Sequence, residues 1–196
     1  MGEPDLLALL GSRLCHDLVN PLGAIGNGLE LMELAGQGGE EMELIRTALG
    51  SAKARIAFFR MAFGSARADQ AVTARDLRDL LAAMYRESRL TALWREDGDW
   101  PRTEARLACL AIACCETAMP WGGTIEITRN QASWVLHADA SRLKIDAALW
   151  HALGRSRMPA DLAGSEVQFG ILARAAAEAR RPISVSADDR HLSLIL

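Results

Sequence analysis

Apolar residues between Leu7 and Met32 fall at positions 7, 10, 14, 18, 22, 25, 29 and 32, steps of three and four that set them on one side of a single long helix. The segment Ala35-Gly36-Gln37-Gly38-Gly39 breaks that helix. A second stripe follows at Met42, Ile45, Leu49, Ala52, Ile56, Phe59 and Phe63 and stops before Gly64. Two helices joined by so short a turn form an antiparallel hairpin. A lone hairpin leaves half of each stripe uncovered, and a second hairpin would complete a four-helix bundle. The alternative cover is the rest of the same chain.

The pattern changes after Ser65 to Thr73, a small, polar stretch that reads as a linker. Arg75 to Arg86 has helical spacing, Arg89 to Arg95 suits a strand, and Asp97-Gly98-Asp99-Trp100-Pro101 is turn chemistry. Glu104 to Met119 predicts a strongly apolar helix ended by Pro120-Trp121-Gly122-Gly123. Thr124 to Thr128 and Ser133 to His137 alternate as paired strands across Arg129-Asn130-Gln131. Helices around Asp146 to Leu153 and Val167 to Arg180 come next, then strands near Ile183 to Ser186 and Leu192 to Leu196. The expected class is α+β, with a helical hairpin over residues 1–66 and an α/β sandwich over residues 72–196.

Half of the 196 residues are hydrophobic, which argues against disorder. The 22 Lys and Arg are interspersed with 25 Asp and Glu for a net charge of -3, so nothing in the charge pattern calls for nucleic acid. No apolar run reaches the roughly 20 residues that span a bilayer, and Met1-Gly2-Glu3-Pro4-Asp5 lacks the basic start of a signal peptide, so the expected location is the cytoplasm. Cys15, Cys109, Cys114 and Cys115 lack zinc-site spacing and read as buried, reduced thiols. His137, His151 and His191 have no carboxylate or Cys at ligand spacing and read as structural. No metal or cofactor site is expected within the chain.

The chemistry concentrates at His16-Asp17-Leu18-Val19-Asn20-Pro21-Leu22. At about 100° per residue His16 points away from the apolar stripe, and Ser12, Asn20, Gly23 and Asn27 share its face. The imidazole therefore sits on a strip of small and polar residues that another molecule can approach closely. A neutral imidazole is a nucleophile near neutral pH. Asp17 can orient the ring or take its proton, although adjacent helical positions do not face each other. Asn20, one turn on, can hydrogen-bond a phosphoryl oxygen or a water. Pro21 costs about 3 kcal/mol inside a helix, yet the stripe runs through it in register, and such a local conflict marks functional sites. Arg46, Lys53 and Arg60 recur every seven residues along the second helix, either as a solvated face or as an attractor for an acidic partner.

Residues 5–64 resemble the dimerisation and phosphotransfer hairpin of histidine kinases, and the whole chain resembles the ChpT-type histidine phosphotransferases of alphaproteobacteria. That resemblance implies a homodimeric four-helix bundle and a second half that is a degenerate kinase ATP-binding domain, with Gly122-Gly123-Thr124-Ile125-Glu126-Ile127 matching the turn and strand after the kinase N box. Where a kinase carries a metal-binding Asn, this chain has Cys114, Cys115 and Glu116. The glycines of the D-x-G-x-G box are replaced in Ala138-Asp139-Ala140-Ser141-Arg142, and only Gly164 and Gly170 stand where a glycine-rich lid would be.

The implied function is a histidine phosphotransferase that relays a phosphoryl group between receiver-domain aspartates through His16, without ATP-dependent autophosphorylation. Its catalytic residues are His16, Asp17 and Asn20, and Ser12, Gly23, Asn27, Arg46, Lys53 and Arg60 dock the receiver. The partners are receivers of a hybrid histidine kinase and of response regulators, which supply the Mg²⁺, and a second copy of the chain; neither nucleic acid nor membrane is expected. The other readings are a receiver phosphatase, since an acid followed three residues later by Asn20 resembles a phosphatase signature, and a scaffold that binds partners without chemistry.

Overall fold

The computed structural model describes residues 6–36, 38–67, 69–155, 157 and 162–196, with side chains from Gly11 onward. The N-terminal pentapeptide lies outside the described residues, and the predicted stripe positions 7 and 10 fall within the first helix but outside the described side chains. Helix α1 runs Leu6–Leu34 with Pro21 inside it, and α2 runs Glu40–Ala62. The glycine-rich turn between them reverses the chain, and the two helices pack along their lengths.

The rest of the chain alternates strands and helices: β1 (Ala71–Thr73), α3 (Ala74–Met84), β2 (Leu90–Trp94), β3 (Asp99–Pro101), α4 (Arg102–Ala118), β4 (Gly123–Asn130), β5 (Ser133–Asp139), α5 (Ala147–Gly154), a 3₁₀ turn at Gly164–Glu166, α6 (Val167–Glu178), β6 (Ser184–Ala187) and β7 (His191–Ile195). The expected α+β class holds. Five strands form one sheet in the order β2-β4-β5-β7-β6, parallel between β2 and β4 and antiparallel elsewhere.

Three local expectations need correction. The linker and the Asp97–Pro101 turn contain short strands, because Val72 pairs with Trp100 in a small β1-β3 sheet that brings the chain into α3. There Thr73 caps the helix: its hydroxyl accepts from the Asp76 amide at 3.0 Å, while the Asp76 carboxylate accepts from the Thr73 amide at 3.4 Å. The β4-β5 turn is the two-residue Gln131-Ala132, since Asn130 pairs with Ser133, and Gln131 takes a positive φ of 54°. Gly122 and Gly123 have φ of 90° and 143° and press against the Arg89 and Asp139 carbonyls, so only glycine fits this turn.

Helix α4 is the centre of the molecule. Ten of its residues, from Ala105 to Ala118 and including all three cysteines, are buried, because α2, α6 and strands of the sheet pack around it. Ile125, Ile127, Trp134, Leu136, Leu192 and Leu194 supply the inner sheet face; Glu126, His137 and Ser193 alternate onto the outer, uncovered face. Glu104 gathers Arg129, Arg181 and the Trp134 indole N–H at 3.2, 2.7 and 3.1 Å, tying the β4-β5 hairpin to α4 and the end of α6. No helix of the described residues is long and apolar enough to cross a membrane.

The hairpin is joined firmly to this core. Phe58 and Ala62 of α2 are fully buried with Tyr85 and α4. Arg102 at the start of α4 donates to the Arg60 and Ser65 carbonyls at 2.9 and 3.2 Å, satisfying groups that the end of α2 leaves without helical partners. The alternative cover weighed above is thus partly realised: the C-terminal unit takes one side of α2, while Leu14, Leu18, Ile25 and Met32 on α1 and Ile45 and Phe59 on α2 stay exposed.

Candidate functional site

Around α1 the positions divide into three strips. Cys15, Gly26 and Leu29 are buried against α2. Leu14, Leu18, Ile25 and Met32 form an apolar strip open to solvent. The strip through Ser12, His16, Asn20, Gly23 and Asn27 lies, at 100° per residue, opposite that apolar strip. The single predicted stripe is therefore two adjacent ones, and both leave His16 free.

The imidazole of His16 is 71% exposed, and its Nδ1 lies 3.2 Å from Asp17 Oδ1. Adjacent side chains do meet here, against the sequence expectation, because the ring turns along the helix toward the carboxylate. The Arg13 guanidinium, 2.8 Å from Asp17 Oδ2, holds the Asp17 carboxyl below its ordinary range, with His16 adding to the effect. An ionised carboxylate only accepts, so the contact is made by an Nδ1–H, and the Nε2 lone pair is left pointing outward. Arg13 was not among the expected residues, although its i,i+4 spacing to Asp17 was a readable signal.

Asn20 and Asn27 are exposed on the same strip, and a Cβ at Gly23 would meet nothing within 4 Å. Ser12 is half-buried; its hydroxyl accepts from the Ser65 amide at 3.0 Å, so it anchors the hairpin's closed end as well as bordering the strip. The three basic residues of α2 differ in their surroundings. Arg46 pairs with Glu33, and with Glu43 at 3.5 Å. Lys53 lies over Gly26, with its Nζ only 2.8 Å from where a Cβ would stand, so that glycine makes room for the ammonium. Arg60 lies beside Cys15, and its charge lowers the thiol against the larger, opposite effect of burial.

Elsewhere the predicted buried thiols are found: Cys15, Cys109, Cys114 and Cys115 are free and buried. Burial pushes Cys109 and Cys115 up to about 12. Glu116, beside them in sequence, accepts from the Tyr85 hydroxyl at 3.1 Å. His191 does have carboxylate neighbours, against the sequence expectation. It is exposed, its Nδ1 is 3.1 Å from Asp188 and its Nε2 is 3.6 Å from Asp139, partners supplied by the β6-β7 turn and by cross-strand pairing. Among the described residues no group of three His, Cys, Asp or Glu is arranged to hold a metal.

A helical hairpin with an outward His-Asp pair, joined to an α/β unit built on a five-stranded sheet, is the arrangement to be placed among known proteins. The family model described as the histidine phosphotransferase C-terminal domain matches residues 74–191, more than half of the chain, and the chain belongs to that family. It is 34% identical over 125 residues to the protein phosphotransferase ChpT of Brucella abortus (strain 2308), a match covering 63% of this chain and 60% of that relative. A solved structure described as a bacterial phosphotransferase superposes with a TM-score of 0.69 at 27% identity, covering 100% of this chain and 97% of the other.

Proposed function

We propose that the chain accepts a phosphoryl group on His16 from the aspartyl phosphate of one receiver domain and passes it to the aspartate of another. The observation that carries this reading is the His16-Asp17 contact on an open polar strip. With Nδ1–H held by the carboxylate, the Nε2 lone pair attacks phosphorus; the N–P bond forms as the bond to the aspartyl oxygen breaks, and the carboxylate leaves with the electron pair. The reverse sequence loads the second receiver. Asn20 hydrogen-bonds a phosphoryl oxygen one turn away, while Ser12, Gly23 and Asn27 form a low surface that lets the receiver close on His16.

In this reading residues 1–66 carry the transfer and dimerise through the exposed apolar strips, and residues 72–196 are an ATPase-like unit without kinase activity. Burial of Cys114 and Cys115, and the engagement of Glu116 with Tyr85, support that: the positions expected to hold a nucleotide's metal point into the core or are occupied. The chain works without a stably bound cofactor, and the Mg²⁺ needed for transfer arrives with the receiver. Receivers of a hybrid histidine kinase and of response regulators are the partners, in the cytoplasm.

Mixing the protein with a ³²P-labelled receiver should label the wild type and not His16→Ala, whose circular dichroism should be unchanged because the side chain is exposed. Mg-[γ-³²P]ATP alone should label neither. Label on His16→Ala would move the acceptor elsewhere. Release of inorganic phosphate with no phosphohistidine would identify a receiver phosphatase, with Asn20 placing the water; no transfer at all would leave a scaffold.

A further inference from the structure

Three observations converge on Arg60. The hairpin's register is fixed at several points: the Ser12 hydroxyl holds the Ser65 amide, Gly11 abuts Phe63, and Gly26 abuts Leu49 and Lys53. Counting antiparallel from each of these brings residue 16 level with residues 58 to 63. On α2, Lys53 and Arg60 leave the helix on neighbouring directions, and Lys53 passes over Gly26, which stands on the edge of the α2-facing strip of α1 nearest the His16 strip. Arg60 therefore leaves α2 on the His16 side, at its height. Packed helices are about 8–10 Å apart, which an arginine side chain spans.

Most surrounding cations are otherwise engaged, and Lys53 lies over Gly26, ten residues along α1 from His16. Arg13 is bound to Asp17, Arg46 to Glu33, and the Arg102 guanidinium to the Ser65 and Arg60 carbonyls. The Arg60 guanidinium makes no hydrogen bond or ion pair among the described residues, and it is exposed. A phosphoryl group on Nε2 brings negative charge to a site where Asp17 already repels it. A planar guanidinium suits phosphate oxygens and stays protonated throughout the working range.

We propose that Arg60 neutralises the phosphoryl group on His16 and so sets the balance between phosphohistidine and receiver aspartyl phosphate. This deepens the phosphotransfer reading and rests on it, but gives Arg60 a role toward this chain's own phosphohistidine, distinct from attracting the receiver.

The test loads His16 chemically with potassium phosphoramidate, which requires no receiver, and titrates the ³¹P resonance of the phosphohistidine. Removing the neighbouring cation in Arg60→Ala should raise the pH at which the phosphoryl dianion takes up a proton to become the monoanion, and Arg60→Lys should restore most of the shift. Arg55→Ala, on the other side of α2, should match the wild type. In equilibrium transfer with a receiver, Arg60→Ala should shift the distribution toward the receiver by about tenfold, the factor for about 1.4 kcal/mol, with KM for the receiver unchanged. An unaltered ³¹P titration in Arg60→Ala overturns the proposal. A higher KM with an unmoved equilibrium overturns it too and assigns Arg60 to docking. Normal chemical loading with no transfer from any receiver would instead sink the phosphotransfer reading, leaving the titration to decide Arg60.

Discussion

At the scale of single residues, the molecule treats its nucleophilic groups in opposite ways. His16 is held outward by a neighbouring carboxylate, whereas Cys109 and Cys115 are sealed in α4, where burial raises their thiols from 9.0 to about 12. A group whose folded value is raised contributes stability that is complete below its unfolded value and is lost as pH climbs through the folded one. Unfolding free energy should therefore fall between about pH 9 and 12. Cys109→Ala should flatten that fall while lowering the plateau at pH 7, because it removes a fully buried side chain. Urea midpoints across that range check this; an equally steep alkaline fall in Cys109→Ala would show that other groups govern it.

Elements meet where glycine allows them to, and the outcome differs along the hairpin. A Cβ at Gly64 would collide with the carbonyl oxygen of Arg60, which also receives the Arg102 guanidinium. Gly64→Ala should therefore open the last turn of α2, loosen that clasp and cost about 1–3 kcal/mol. Gly28, exposed within α1, has nothing within 4 Å of its Cβ position, so Gly28→Ala should stabilise by about 0.5–1 kcal/mol through helix propensity alone. Thermal melts of the two variants should move in opposite directions; parallel shifts would contradict the packing. The elements themselves were legible wherever period or turn residues were strong, as in α1, α2, α4 and the Gly122-Gly123 turn. β1 and β3 were not, since three-residue strands are made by pairing across 26 or more residues and carry no period of their own. The His16 strip was legible from angular position, but the Asp17 contact depends on a rotamer, and His191's carboxylates come from a turn and a neighbouring strand.

For the whole molecule the deciding feature is how the apolar positions of the hairpin are shared out. Periodicity merges into one seam what the fold divides: Leu49 is buried between α1 and α2, and Ile56 is half-buried, while Phe58 and Ala62, off the predicted stripe, enter the core of the C-terminal unit. Substituting Ile56 would thus disturb the hairpin itself and say little about association. Ile25 is the better probe, being 49% exposed on the strip opposite His16. If two hairpins associate through that strip, Ile25→Asp should sediment as a folded monomer with wild-type helicity, because a charge buried in the bundle would be far costlier than one left in water. Gly23→Arg, on the His16 strip, should remain a dimer yet lose transfer from a phosphorylated receiver, since the long side chain fills the space the receiver needs. A wild-type association state in Ile25→Asp would remove the apolar strip from the dimer, and wild-type transfer by Gly23→Arg would place the receiver on some other face.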